Sequence, residues 1–120
     1  IKNPSLSDTG YDAHIELLEY FHMEGITPIV VDSKSIQEDA ERVLRELCKR
    51  AEVVFDSAML KWESGPKKED GIWAKYWYSS THASTGFLKF TPKKSTFPQH
   101  LNPLLLQCEP LYRRLQKLAI

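Results

Sequence analysis

A short stretch near the middle of the chain combines residue types that bind phosphates with residue types that stack on ring systems. This segment, residues 65–86, has the sequence GPKKEDGIWAKYWYSSTHASTG. Lys67 and Lys68 are adjacent cations and Gly71 follows them closely, so the spacing favours a local anion site. A solvated polar turn without a ligand is the alternative interpretation of the same residues.

The aromatic residues around the two lysines also have two interpretations. Exposed rings could stack on a base or on another planar ligand. The same rings could instead anchor the segment to the core, since aromatic side chains bury a large area. The residues concerned are Trp62, Trp73, Tyr76, Trp77 and Tyr78.

The end of the segment carries small polar groups that suit a phosphate. Hydroxyls and backbone amides of Ser84, Thr85 and Gly86 could cradle an anion, although the Gly-x-x-x-x-Gly-Lys-Ser/Thr spacing of a P-loop is absent. His82 could act as an acid-base group near neutral pH, with a purely structural histidine as the alternative.

Several classes of site and partner are disfavoured by composition and spacing. The four histidines and two cysteines show no metal-ligand spacing, so no metal cofactor is predicted. No Ser-His-Asp set occurs at a known motif spacing, and the catalytic residues stay unassigned. Sixteen basic residues balance sixteen acidic residues, which argues against a general nucleic-acid or membrane binder. A single-stranded nucleic-acid binder that uses the aromatic cluster is the weakest alternative.

The totals favour one globular domain inside the cell. The 120 residues are 42% apolar and can bury a core. Cys48 and Cys108 both lie in helical patterns, which is typical of reduced packing cysteines in a cytoplasmic protein. No apolar run reaches the ~20 residues of a membrane span. The start is polar, without a signal peptide or an initiator Met, so we expect part of a longer protein.

The periodicity predicts a helix-rich α/β fold. Apolar spacing predicts helices over residues 11–24 and 98–120, and a capping box at Ser35–Glu38 predicts a third helix that runs to about residue 50. TPIVVD, residues 27–32, predicts a strand buried on both faces. A single helical turn at 56–61 then leads into a long functional loop, residues 62–97, with a short strand at 86–90.

One confident buried strand cannot form a sheet by itself. Its neighbours must come from outside the chain, so we expect self-association or pairing with an N-terminal half. The chain is accordingly interpreted as a single, partial domain over residues 1–120.

Two stretches together resemble the C-terminal half of the sulfotransferase family. The first is PIVVDSKSIQEDAERVLRELCKRAEVVFD, which is similar to that family's strand, acidic turn and helix. The second is MLKWESGPKKEDGIWAKYWYSSTHASTGF, which resembles a loop of a bacterial and fungal branch. The tail FPQHLNPLLLQCEPLYRRL is similar to the closing helices of the same branch.

The resemblance implies a P-loop nucleotide-binding α/β fold and a sulfuryl-transfer reaction. The implied donor is 3′-phosphoadenosine 5′-phosphosulfate, and the implied acceptor is a hydroxyl or an amine on a small molecule. The residues nearest to the family's donor loop are Lys67, Lys68, Gly71 and Trp73. We add Ser84, Thr85 and Gly86 to the donor side because they are short hydrogen-bond donors, and we assign Trp77, Tyr78 and His82 to the acceptor.

The chain departs from the family pattern in two respects. The Arg-Lys-Gly run of the family's late donor loop is replaced here by the sequence from Lys67 to Gly71, with Asp70 before the glycine. The family's phosphosulfate loop and catalytic base have no match in residues 1–120, which implies that this chain alone is inactive. A non-catalytic binding or interaction module that keeps the family scaffold is the alternative function.

Overall fold

Helices dominate the computed structural model, which describes residues 3–120. Seven α-helices follow one another along this part of the chain: α1 (Leu6–Thr9), α2 (Tyr11–Met23), α3 (Ser33–Glu38), α4 (Ala40–Arg50), α5 (Ala74–Trp77), α6 (Ser79–Ala83) and α7 (Asn102–Gln116). Single 3₁₀ turns occupy Ser57–Leu60 and Gln99–Leu101. The helices predicted near 11–24, 36–50 and 98–120 are therefore confirmed in type, as is the helical turn near 56–61.

The chain divides into two compact units. Unit 1 contains the described residues up to Asp32 together with Pro92–Ile120, and unit 2 is Ser33–Thr91. Unit 1 therefore holds α1, α2 and α7, whereas unit 2 holds α3 to α6 and all three tryptophans of the chain.

Unit 1 is held together by contacts between α7 and the N-terminal helices. The Arg114 guanidinium lies 3.0 Å from the Glu19 carboxylate of α2, and the Tyr112 hydroxyl donates to Asp32 Oδ2 at 2.8 Å. Cys108 is buried on the same helix. Pro110 lies inside α7, which continues through it as one helix.

The predicted buried strand at residues 27–32 is wrong. Val30 forms only an isolated parallel bridge with Ala119, and its carbonyl accepts the Ile120 amide at 3.1 Å. Ile29 and Val31 are each 37% exposed. The pairing stops at this one bridge, so no ladder of successive hydrogen bonds forms here. No sheet forms within residues 3–120, so the helix-rich part of the fold prediction is confirmed and the α/β part is not confirmed.

Unit 2 packs around helix α4. Val43 is completely buried and Cys48 nearly so, and the Cys48 and Met59 sulfur atoms lie 3.9 Å apart. The Arg45 guanidinium stacks over the Phe55 ring at 4.1 Å from its centroid, a cation–π contact. These contacts fasten the segment that follows α4 back onto the helix.

The helix predicted to start at Ser35 begins earlier and is divided. Asp39 has φ −150° and ψ 79°, which is not helical, and its side chain accepts the Arg42 amide at 3.0 Å. Asp39 is thus the N-cap of α4, a position that aspartate favours. A cap formed by Asp39 ends α3 and starts α4, which replaces the predicted capping box.

Candidate functional site

Trp62 fastens the two ends of the aromatic loop, residues 62–87, to each other. Its indole Nε1 donates to Ser84 Oγ at 3.0 Å, and Ser84 Oγ donates in turn to the Thr81 carbonyl at 2.7 Å. The Trp62 ring meets the Phe87 ring edge-on, with centroids 5.3 Å apart. The Trp62 amide also donates to the Thr85 carbonyl at 3.2 Å. The loop is therefore closed at its base by packing and hydrogen bonds together.

Gly86 allows the two ends to approach this closely. It forms an isolated antiparallel bridge with Lys61, and a Cβ at this position would lie 3.0 Å from the Leu60 carbonyl oxygen. That neighbour is backbone and cannot swing away, so any side chain here would push the ends apart. The short strand predicted at 86–90 is reduced to this single bridge.

The carboxylate of Asp70 organises the centre of the loop. Its Oδ2 atom accepts the Lys67 backbone amide at 2.8 Å and lies 2.8 Å from His82 Nε2. The Asp70 amide donates back to the Lys67 carbonyl at 3.1 Å. Residues 67–70, the lysine turn, are thus closed by backbone and side-chain hydrogen bonds. Both the Asp70 and the His82 side chains are 22% exposed.

These contacts lower the pKa of Asp70. The Lys67 amide contributes most, followed by the hydrogen bond from His82, because both stabilise the ionised carboxylate. A pKa lowered by folding means that the ionised form stabilises the folded state. This contribution is present above the ordinary aspartate value near pH 4 and is lost as the pH falls through the lower folded value.

The two lysines extend from the lysine turn into solvent. Lys67 is exposed, and the Lys68 side chain is 91% exposed with its ammonium 3.5 Å from the Glu69 carboxylate. An exposed pair of this kind contributes little to stability. Gly71 follows as an exposed residue whose carbonyl accepts the Ala74 amide at the start of α5. Both ammonium groups are therefore available to an external anion.

The aromatic residues after the turn are mostly exposed. Trp73 is 64% exposed, Tyr76 65% and Trp77 74%, and the Trp73 and Tyr76 rings lie 6.3 Å apart. Of the three tryptophans, Trp62 anchors the loop, whereas an anchoring role for Trp73 and Trp77 is excluded by their exposure. Tyr78 is less exposed and meets the His82 ring edge-on at 6.0 Å.

The residues predicted to bind the donor therefore fall into two groups. Lys67, Lys68 and Trp73 project from the loop. Ser84 and Gly86 lie at its base, where the Ser84 hydroxyl already has two hydrogen-bond partners. The Thr85 carbonyl is used by Trp62, while its side chain is exposed.

Sequence reasoning missed the partnership of Asp70 and His82. The two residues are twelve positions apart and share no periodic pattern that would place them together. A local signal did exist for the contact with Lys67, because an acidic side chain can reach back to the amide three residues earlier, as in a capping box. No local sequence pattern identifies His82 as the partner of Asp70.

Metal-ligand clusters and membrane-spanning helices are both absent from residues 3–120. No group of three or more His, Cys, Asp or Glu side chains in this part of the chain could hold a metal ion. No helix in the same residues has the length and apolar character needed to cross a membrane.

Comparison with known proteins assigns the family. Two proteins of Arabidopsis thaliana are similar to the chain. "Branched-chain-amino-acid aminotransferase-like protein 2" is 46% identical over 92 residues, which cover 77% of the chain and 16% of that protein. "Branched-chain-amino-acid aminotransferase-like protein 1" is 41% identical over 115 residues, which cover 94% of the chain and 20% of that protein.

The chain thus spans no more than a fifth of the length of these curated relatives. No solved structure matches it. The family described as "Sulfotransferase domain" matches residues 3–119, which include nearly all of both units. The chain therefore belongs to the sulfotransferase domain family.

Proposed function

We propose that the chain is the C-terminal, donor-side part of a sulfotransferase-like P-loop domain. The proposed reaction transfers a sulfuryl group from 3′-phosphoadenosine 5′-phosphosulfate to a hydroxyl or an amine. Family membership supports the reaction class. The observation that carries the residue assignment is the closed lysine turn, which holds two solvent-facing cations a few residues before an exposed tryptophan in the sequence.

The groups that the lysine turn presents fit the donor's chemistry. Phosphate groups are bound by ammonium donors through short, charge-assisted hydrogen bonds, and Lys67 and Lys68 supply these. Trp73 is exposed and supplies a stacking face for the adenine. Gly71 lies between the lysines and Trp73 in the sequence, so the backbone at this point carries no side chain. When bound, the donor supplies the activated sulfuryl group, and these residues bind and orient it.

Ser84, Thr85 and Gly86 belong to the proposed donor side with different tasks. The Ser84 hydroxyl is engaged by Trp62 and Thr81, so its part is to hold the base of the loop. Thr85 has an exposed side chain and supplies the free hydroxyl. Gly86 has no side chain and therefore allows the two ends of the aromatic loop to lie close together.

The proposed acceptor side uses Trp77, Tyr78 and His82. Trp77 is largely exposed, and Tyr78 lies against the His82 ring. An aromatic wall of this kind would exclude water from a small acceptor. We propose that the catalytic base and the main donor-binding loop lie elsewhere in a longer protein, since the relatives are at least five times as long as the region they share with this chain.

The test measures binding of 3′,5′-adenosine bisphosphate by calorimetry, with the whole protein that contains this chain. Lys67→Ala combined with Lys68→Ala should weaken binding by about tenfold or more, because charge-assisted hydrogen bonds are lost. Added salt should weaken binding by the wild type more than by the double variant, since exposed charges are screened.

A matched control is provided by the chain itself. Lys93 and Lys94 form a second Pro-Lys-Lys sequence, and both are exposed. Replacing this pair by alanine removes the same net charge without touching the lysine turn. Equal weakening by both pairs would show a general charge effect and would contradict a specific site at Lys67 and Lys68.

The second candidate is a non-catalytic binding or interaction module that retains the family scaffold. Both relatives are named as aminotransferase-like proteins, and the region that they share with this chain is at most a fifth of their length. An accessory role for this region in a larger protein would fit this candidate. If the wild-type protein does not bind the bisphosphate, the module replaces the enzyme as the better proposal.

We also propose that both units form one domain that is completed by another chain segment. Ile29 and Val31 are each 37% exposed in an extended segment that has a single bridge. Such an edge pairs readily with a further strand. The chain expressed alone should therefore self-associate, or should bind an N-terminal half when one is supplied. Sedimentation velocity that shows a folded monomer at all concentrations, with no binding to that half, would contradict this.

A further inference from the structure

One histidine, His82, contacts the chain on both sides of the two lysines. The His82 ring contacts the Asp70 carboxylate at 2.8 Å. The His82 backbone carbonyl accepts the Gly65 amide at 2.7 Å. Gly65 and Asp70 lie on either side of residues 66–69, so His82 holds the chain immediately before and immediately after the two lysines.

The position of the turn depends on very few other contacts. Gly65 has φ +109°, a conformation that L side chains rarely adopt, and it redirects the chain into the turn. Lys67, Lys68 and Glu69 are exposed, and so is Pro66. Exposed side chains give a turn little packing energy. The hydrogen bonds to Asp70 and His82 are thus the main restraints on where the lysines lie.

His82 is itself fixed from two further directions. Its amide donates to the Tyr78 carbonyl at 2.7 Å, within the helical segment that includes α6, and the Tyr78 ring packs edge-on against the imidazole. Helix α6 leads directly to Ser84, which Trp62 holds at the base of the loop. A continuous set of contacts therefore runs from the base of the loop through His82 to Asp70 and the lysine turn.

We propose that Asp70 and His82 are positioning residues that hold the lysine turn in the arrangement that receives an anionic nucleotide. Neither residue needs to touch the nucleotide. This inference rests on the proposed function for its ligand, but the restraint on the turn is a property of the loop alone. The ordering of two flexible lysines before binding lowers the entropy cost of capturing the anion.

The first measurement reports on the turn without any ligand. Trypsin cleaves after lysine, and cleavage at a folded site follows the population of locally open molecules. Cleavage after Lys67 and Lys68, followed by mass spectrometry of the peptides, should become about tenfold faster in Asp70→Ala. Cleavage after Lys93 and Lys94 serves as the internal control and should stay unchanged.

A conservative variant separates positioning from general damage. Both contacts of Asp70 are made by Oδ2. In Asp70→Asn the side-chain oxygen can take this place and accept both the Lys67 amide and the Nε2–H of a neutral imidazole. This variant should restore most of the protection from trypsin. His82→Ala should increase cleavage less than Asp70→Ala does, because the Lys67 amide still donates to Asp70. The double variant should be no more susceptible than Asp70→Ala, because the His82 ring acts on the turn through Asp70.

The second measurement is the affinity for 3′,5′-adenosine bisphosphate by calorimetry. Asp70→Ala should weaken binding several-fold, and Asp70→Asn should recover most of the loss. Unchanged cleavage in Asp70→Ala would overturn the restraint, and faster cleavage with unchanged affinity would overturn the positioning role. If the wild type does not bind the bisphosphate, the proposed function fails, while the cleavage pattern still decides whether Asp70 and His82 hold the turn.

Discussion

Replacing Val43 by aspartate should unfold unit 2. Val43 is 0% exposed and is the largest completely buried side chain among the described residues. A carboxylate at this position would lose its hydration without gaining a partner, since no buried polar or charged residue occurs in the described part of the chain. The expected loss in unfolding free energy is at least about 4 kcal/mol, which lies at the extreme of single substitutions.

Urea unfolding followed by tryptophan fluorescence measures this loss, because all three tryptophans lie in unit 2. Val54→Asp is the matched control. Val54 is 89% exposed, so the same chemical change should alter the unfolding free energy by no more than about 0.5 kcal/mol. A folded Val43→Asp protein with nearly normal stability would show that α4 does not form the centre of this unit.

Replacing Trp62 by alanine should have the second largest effect. The substitution removes the indole hydrogen bond to Ser84 and the edge-on contact with Phe87. Truncation of a fully buried tryptophan costs about 3 to 5 kcal/mol. Trp62 is only half-buried, so we expect unfolding free energy to fall by about 2 to 4 kcal/mol.

Trp77→Ala provides the comparison for this prediction. Trp77 is 74% exposed in the same loop, and its removal should change the unfolding free energy by about 0.5 kcal/mol or less. Circular dichroism is the better probe here, because each variant loses a fluorophore. Equal destabilisation by the two substitutions would mean that the loop has no single anchor.

Helical periodicity predicted the long helices because their stabilising contacts follow from local spacing. The two buried residues of α4 are Val43 and Cys48, and both are apolar residues of this helical segment. The break at Asp39 was not predicted, because Ser35 begins an equally good capping pattern four residues earlier. Local capping signals compete, and the backbone of the whole segment decides between them.

The sheet could not be judged from the sequence because strand pairing is decided by distant segments. Val30 lies beside Ala119, which is 89 positions later along the chain. A run of branched apolar residues shows that a segment favours an extended backbone. It does not show whether partners exist on both sides, and here the structure supplies one bridge.

The sequence identified the loop as a candidate site, which stays a prediction, but it did not indicate the contacts inside the loop. Adjacent lysines and the aromatic residues identified the loop, because unusual residue types cluster there. The contact between Asp70 and His82 joins two turns across the loop. Such a contact depends on how Gly65 and Trp62 fold the segment, and no residue pattern encodes that directly.

The division into units has a consequence for the order in which the chain assembles during synthesis. Unit 1 needs α7, whose Cys108 and Arg114 contact Thr9 and Glu19 almost a hundred residues earlier. Unit 2 is complete once residue 91 has been made. During synthesis, the loop that carries the lysines can therefore fold before α7 emerges from the ribosome. Helices α1 and α2 have emerged by then but still lack their partner helix.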